Sequence, residues 1–366
     1  LFAMILWVYA LVQTPSAGLM FVMLVITGIT FSFKESLAVS VTQGSHKIFA
    51  FIIAILVLIL PTYGVFSRTF AISYARQAER ALSASPARTD DATSALKKAV
   101  QLVPHEVYFQ ALATVQQRDL SDLYTKIANQ ETSETDRAAL TSQFDAKLAE
   151  TTETYTRAIQ ANDKNYASYF RRAQFLSNFL GRADDETIFA TAISDVKKAH
   201  ELAPTNAVID ILEAQLHLAK DNGDEAQKLL LAAINKKSNY TDAAIILAQL
   251  NIQKGNLKDA LTAAEYAVRT NVNNSQALYV YGRLQFEAKN YLAAAQAFER
   301  IIAVEGGIPM ELGRLLADSY AQIGALEQAR QAYEELLKAD PNNAEIKANL
   351  LKIQEVTSAS QVTPAQ

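Results

Sequence analysis

Cysteine is absent from the 366 residues of this chain, which excludes disulfide bonds and thiolate-ligated metal sites. Glycine and proline are scarce, at 12 and 8 residues, and no glycine-rich segment has the spacing of a phosphate-binding loop. The four histidines lack metal-ligand spacing, and the formal net charge of −4 argues against a nucleic-acid partner. We therefore predict that the chain has no catalytic residues, no cofactor and no metal.

The few residues that could hold a metal have simpler structural interpretations. His200 and His217 fall on positions that pack helices together, whereas His46 lies in a loop and His105 follows a helix-stopping proline. The acidic run at 184–186 stands where we expect a helix to begin, and the helix dipole favours carboxylates there. A cation site at this run is the weaker interpretation.

Charged residues are nearly absent from the first 66 positions. A membrane-spanning helix needs about 20 apolar residues. Residues 17–33 and 48–66 meet this requirement, and residues 1–12 are interpreted as a truncated third helix. We therefore predict that residues 1–66 form a transmembrane segment. The ionisable residues in it, tyrosines apart, are Lys34, Glu35, His46 and Lys47.

A secretory signal peptide is the alternative interpretation of the N-terminus. Such a peptide has a basic start and one short apolar core, whereas here several apolar stretches follow one another. The orientation in the membrane is left open, because the cationic residues in the loops before and after residues 48–66 nearly balance. These residues are Lys34 and Lys47 on one side and Arg68, Arg76 and Arg80 on the other.

From about residue 67 the chain becomes rich in Ala, Leu, Glu, Gln and Lys, with apolar residues every three or four positions. This spacing predicts amphipathic helices throughout. Three helix ends resemble one another: LKKAVQLVP at 96–104, VKKAHELAP at 196–204 and YEELLKADP at 333–341. Three turns likewise each precede an alanine by three residues. They are Gly255-Asn256-Leu257, Lys289-Asn290-Tyr291 and Gly324-Ala325-Leu326.

Alignment of these turns places repeat starts at Ala207, Thr241, Ser275 and Met310, with differences of 34, 34 and 35 residues. The pattern resembles the tetratricopeptide repeat, a helix-turn-helix unit of 34 residues. The last unit matches it through Leu316, Ala317, Tyr320, Gly324, Ala329, Tyr333, Leu336 and Pro341. The resemblance implies a tetratricopeptide-type α-solenoid, so with the predicted transmembrane helices before it the chain is expected to be all-α.

Residues 67–343 are predicted to hold about seven such repeats, most clearly within 207–343. Less regular repeats cover 71–104, 107–163 and 166–204, and the second contains a long helix that we expect to start within 129–136 and end near residue 161. Residues 67–83 contain neither Gly nor Pro, so the last bilayer helix is expected to continue into the first repeat. A capping helix at 344–357 and a disordered tail at 358–366 complete the prediction.

The resemblance implies that the concave face of the array, formed by the first helix of each repeat, binds a peptide or a helix of another protein. Candidate residues occupy the fifth, ninth and twelfth positions of the repeats: Gln215, Gln249, Tyr279, Arg283, Phe286 and Arg314. The alternative is that these side chains only pack neighbouring helices or face solvent. We expect a mixed, mildly apolar groove.

The N-terminal part resembles the C-terminal end of bacterial O-antigen ligase/polymerase-like membrane proteins. The resemblance rests on LWVYALVQTPSAGLMFVMLV at 6–25 and on FSRTFAISYARQAERAL at 66–82. It implies a larger enzyme of the bacterial inner membrane that acts on a lipid-linked glycan, with a catalytic loop outside this chain. We keep this enzyme as the alternative and predict a membrane-anchored scaffold, the C-terminal part of a larger bacterial envelope protein, that recruits a partner protein and contacts the lipid bilayer.

Overall fold

The computed structural model describes the backbone of residues 45–128, 133–181, 185–237, 239–307 and 309–362. Side chains are described from Tyr63 to Val356 within these ranges, Asp185 excepted. Every regular element in this part of the chain is an α-helix, which confirms the all-α prediction. The chain divides into two compact units, residues 1–172 and residues 173–366.

The first unit is built from long helices. The described helices are α1 (Ser45–Leu82), α2 (Thr89–Leu102), α3 (Glu106–Ala128), α4 (Glu134–Ala161) and α5 (Tyr166–Ser177), which crosses into the second unit. Helix α1 is continuous from the apolar sequence into the first repeat, as expected. Its second half packs closely on α2 because small side chains face each other, among them Ala78, Ala81, Ala92 and Ala95.

Helices α3 and α4 form the extended hairpin expected from the sequence. Ser133 caps α4, because its hydroxyl accepts a 3.2 Å hydrogen bond from the backbone N–H of Asp136. Lys147 of α4 contacts Asp119 of α3 at 3.2 Å. Glu150 of α4 forms an ion pair with Lys97 of α2, in which Oε1 lies 2.9 Å from Nζ. These two ion pairs connect α4 to α2 and to α3 at partly exposed positions.

The second unit is a series of helix pairs in the predicted phase. Four of its helices begin at the predicted repeat starts, Ala207, Thr241, Ser275 and Met310. After α5, the described helices of this unit, those four included, are α6 (Asp185–Leu202), α7 (Ala207–Leu218), α8 (Gly223–Lys236), α9 (Thr241–Gln253), α10 (Leu257–Thr270), α11 (Ser275–Glu287), α12 (Tyr291–Glu305), α13 (Met310–Gln322), α14 (Leu326–Ala339) and α15 (Ala344–Val362).

Close approach within these pairs depends on small residues. A Cβ added at Gly282 of α11 would lie 2.6 Å from Cε1 of Phe298, whose side chain on α12 is fully buried. Only glycine therefore lets α11 and α12 pack at this distance. Ala260, Ala294 and Ala329 are likewise fully buried at the equivalent position of their second helices.

The turn inside each of the four clear repeats contains one residue in the left-handed backbone region. These residues are Asp221, Gly255, Lys289 and Gly324, with φ of 55°, 74°, 62° and 80°. The turn Asp221-Asn222-Gly223 has no glycine at the position that Gly255 and Gly324 hold in their own turns. The structure shows the same conformation there, adopted by Asp221 at some cost in backbone energy.

Helix α15 packs on the last repeat through Ile346 and Ile353, which are buried against Tyr333 and Leu336. It ends at Val362, five residues beyond the end of the capping helix expected at 344–357. No proline or glycine occurs between Ala344 and Val362 to stop the helix earlier. Residues 363–366 lie outside the described residues.

Within the part of the chain that the structure describes, no helix is long and apolar enough to cross a membrane. The predicted truncated helix at 1–12 and the predicted span at 17–33 lie outside the described residues. The predicted span at 48–66 falls in the first half of α1, where side chains are described only from Tyr63.

Candidate partner-binding face

The first helices of neighbouring repeats contact one another, α9 with α11 and α11 with α13. All six candidate residues lie on α7, α9, α11 and α13, which are the first helices of the four clear repeats. We call the surface that they form the first-helix face. It consists of Gln215, Gln249, Tyr279, Arg283, Phe286 and Arg314.

The ninth position of three successive repeats is exposed in the same way. Gln215, Gln249 and Arg283 are exposed, although each is flanked in its helix by buried residues. The residues of the fifth position change along the array, because Ile211 and Ile245 are buried whereas Tyr279 is half-buried. The face thus presents amide groups at one end and an aromatic and cationic group further along.

Tyr279 and Arg283 form the centre of the aromatic end. The guanidinium carbon of Arg283 lies 5.9 Å from the centroid of the Tyr279 ring, within the range of a cation–π interaction. Tyr279 Oη donates a 2.9 Å hydrogen bond to Glu311 Oε1. Burial, together with this hydrogen bond, raises the pKa of Tyr279 above its ordinary value of 10.0. Arg283 Nη2 also lies 3.4 Å from Glu287 Oε1, and both side chains of this ion pair are exposed.

Phe286 supplies the apolar part of the same end. Its ring is half-buried and meets the ring of Tyr291 edge-on, with centroids 5.3 Å apart. Ile252, at the equivalent twelfth position of the preceding repeat, is 39% exposed. An apolar side chain of a partner could pack on either residue.

Arg314 differs from the other candidates because it is already surrounded by acidic groups. Its Nη1 lies 3.3 Å from Asp318 Oδ2 and 3.6 Å from Glu345 Oε1 on α15. Tyr333 Oη donates a hydrogen bond to the other oxygen of Asp318. Arg314 therefore links the last repeat to its capping helix, a role that the repeat pattern did not predict.

Two of the histidines, His200 and His217, contact polar side chains of neighbouring residues. His200 Nδ1 lies 3.3 Å from Asp210 Oδ1, and His217 Nδ1 lies 3.4 Å from Asn222 Nδ2. Glu186, from the acidic run at 184–186, lies 3.5 Å from Lys220 Nζ. Among the described residues, no group of three or more His, Asp or Glu side chains is arranged to hold a metal ion.

The comparisons agree with the repeat assignment. A family model for the tetratricopeptide repeat matches residues 211–271, 247–307 and 314–353. The chain is 29% identical over 97 residues to the CTR9 homolog of Arabidopsis thaliana. It is 34% identical over 84 residues to the interferon-induced protein with tetratricopeptide repeats 3 of Mus musculus.

These likenesses are partial. The match to the Arabidopsis protein covers 26% of this chain and 9% of that protein, and the match to the mouse protein covers 23% and 21%. Among solved structures, YrrB, a TPR protein with an unusual peptide-binding site, is 19% identical with a TM-score of 0.43. That match covers 54% of this chain and 98% of YrrB. Residues 211–307 and 314–353 are the part of the chain that matches the family model for the tetratricopeptide repeat.

Proposed function

We propose that the chain is a scaffold that binds an extended segment of a partner protein on the first-helix face. The observation that carries the proposal is the row formed by Gln215, Gln249 and Arg283, which are exposed at one equivalent position of three successive repeats. A primary amide both donates and accepts hydrogen bonds, so it can pair with the backbone of an extended peptide. Tetratricopeptide repeats are well suited to such a role, because stacked repeats create long continuous binding surfaces.

The side chains of the face suggest the composition of the partner segment. Ile252 and Phe286 offer apolar contacts one repeat apart. Arg283 is held by the ring of Tyr279 and by an exposed pair with Glu287, which a partner carboxylate can replace at little cost. We therefore expect an extended segment with apolar side chains and at least one carboxylate near Arg283.

A random peptide library displayed on phage, selected against the full chain in lipid nanodiscs, tests this proposal. The dissociation constant of an enriched peptide is then measured for Arg283→Ala and for Phe286→Ala. We expect each substitution to weaken binding about 10-fold, the loss typical of a residue central to an interface. Leu292→Ala is the matched control, because Leu292 is 59% exposed on the second helix α12. Equal affinities in all three variants would contradict the proposal.

We further propose that residues 17–33 and 48–66 anchor the scaffold in a bacterial inner membrane. The support is their apolar sequence and the continuity of α1, which joins the second of these segments to the first repeat. Extraction of membranes with alkaline carbonate tests the anchor. The protein is expected to stay in the membrane pellet, and its release into the supernatant would contradict the anchor.

A larger enzyme that acts on a lipid-linked glycan is the alternative, with this chain as its C-terminal part. It rests on the hydropathy of residues 6–25 and on the junction at 66–82. The DNA upstream of Leu1 distinguishes the two hypotheses. Further apolar spans with a large Arg- and His-containing loop would favour the enzyme, and a nearby start codon would favour the scaffold alone.

A further inference from the structure

Three aromatic side chains stand exposed where α1 enters the first repeat. Tyr63, Phe66 and Phe70 are 65%, 52% and 54% exposed, whereas Ser67 and Ala71 beside them are buried. Spacings of three and four residues place the aromatic side chains on one side of the helix. We call this group the aromatic collar. A cluster of exposed large aromatic residues on one helix face indicates a surface that contacts something else.

The collar continues an apolar segment of the same helix. Residues 48–62 contain no charged side chain, and they precede Tyr63 without a break in the helical backbone. From Tyr63 to Phe70 the helix rises about 10 Å, at about 1.5 Å per residue. The headgroup layer on each side of a bilayer is about 5–8 Å thick. The collar begins within the last four residues of the predicted span at 48–66, so with that span in the bilayer it would lie where the helix leaves the hydrocarbon for this layer.

The charges next to the collar favour an anionic surface. Between Tyr63 and Leu82 the helix carries three arginines, Arg68, Arg76 and Arg80, and a single acidic residue, Glu79. Cationic side chains directly beside a membrane-spanning segment are attracted to anionic lipid headgroups. Aromatic side chains at the same level are typical of the membrane–water interface.

We propose that the aromatic collar is a lipid-contact site that holds the first repeat against the surface of an anionic bilayer. Tyr63, Phe66 and Phe70 insert among the headgroups, and Arg68 contacts lipid phosphate. The proposal rests on the membrane anchor proposed above. It adds a defined contact between described side chains and lipid, which an anchor with a solvent-exposed linker would lack.

A single-tryptophan reporter measures this contact in the full chain. Trp7 is the only tryptophan of the sequence, so Trp7→Phe gives a protein without tryptophan fluorescence. Phe66→Trp is added to one copy of this background, and Tyr124→Trp is added to another as the control. Tyr124 is 57% exposed on α3 of the same unit. Both proteins are reconstituted in vesicles of phosphatidylcholine and phosphatidylglycerol, with and without lipids brominated near the headgroup.

The reporter at position 66 is expected to show blue-shifted emission and at least twofold quenching by brominated lipid, and the reporter at position 124 to show neither. Quenching at position 66 should be weaker in phosphatidylcholine alone; equal quenching in both lipids would overturn the anionic preference. If the two reporters behave alike in protein that floats with vesicles, the collar proposal fails and the anchor stands. If the protein does not float with vesicles, both fail, while peptide binding is measured separately.

Discussion

The hydroxyl of Tyr279 donates a 2.9 Å hydrogen bond to Glu311 Oε1, which joins the first helices α11 and α13 of neighbouring repeats. Tyr279 is also the ring on which the Arg283 guanidinium lies. The same side chain thus fixes the spacing of two repeats and the position of the cation on the first-helix face. Such a face is preorganised, which lowers the entropy lost when a partner binds.

A buried carboxylate at the start of the array should contribute strongly to stability. Asp210 is buried in α7, with Lys236 Nζ 2.7 Å from its Oδ2 and His200 Nδ1 3.3 Å from its Oδ1. Asp210→Ala leaves the Lys236 amine and the His200 imidazole, whose side chains are 26% and 38% exposed, without the carboxylate that they share. We expect a loss of about 3 kcal/mol in the free energy of unfolding, measured by urea denaturation in detergent.

Asp224→Ala is the control for this prediction. Asp224 also lies 2.7 Å from a lysine, Lys254, but its side chain is 91% exposed. An exposed ion pair contributes little, so this variant should unfold at the same urea concentration as the wild type. Similar losses in both variants would show that burial of Asp210 is not what makes the pair important.

Glu213 should make stability depend on pH. It is half-buried in α7, and desolvation raises its pKa, although His217, His200 and Lys197 act in the opposite direction. The folded chain therefore holds this proton more tightly than the unfolded chain. Stability should fall as pH rises from the ordinary carboxyl pKa of 4.5 through the raised value.

Glu213→Gln removes this titration. The variant should be more stable than the wild type at about pH 7.5, and the difference should shrink toward about pH 4, where both side chains are neutral. Thermal unfolding at several pH values measures it, with the exposed Glu201→Gln as control. A difference that stays constant across the pH range would rule out Glu213 as the source.

The left-handed turn residues offer a stabilising substitution. Lys289 holds φ at 62° in a position where other repeats have Gly255 and Gly324. Lys289→Gly should raise the free energy of unfolding by about 1 kcal/mol, because glycine adopts this conformation without steric cost. Gly255→Ala should lower it by a similar amount. If both substitutions change stability in the same direction, the turn geometry is not the controlling factor.

The sequence predicted the repeat phase well, because small residues, turns and prolines recur where close packing and chain reversal require them. Four repeat starts, the continuous α1 and the start of α4 within 129–136 follow from such local signals. The left-handed turn at Asp221 was hidden, since the residue there is not glycine.

Interactions between repeats could not be predicted in this way. The acidic groups around Arg314 and the hydrogen bond from Tyr279 to Glu311 join different helices, so they depend on distances that the repeat pattern does not contain. Asp210 was likewise missed. Its partners Lys236 and His200 come from two other helices, and its own position holds Ala244 in the next repeat.

Photo-crosslinking tests the claim that the partner segment binds on the first-helix face. A photo-reactive benzoylphenylalanine replaces Gln249 on α9 in one protein and Leu292 on α12 in another, and each is irradiated with an enriched library peptide. Both positions are exposed, so reagent access is matched. We predict a peptide adduct by mass spectrometry at position 249 and none at position 292. An adduct at position 292 alone, or equal adducts at both positions, would contradict the claim.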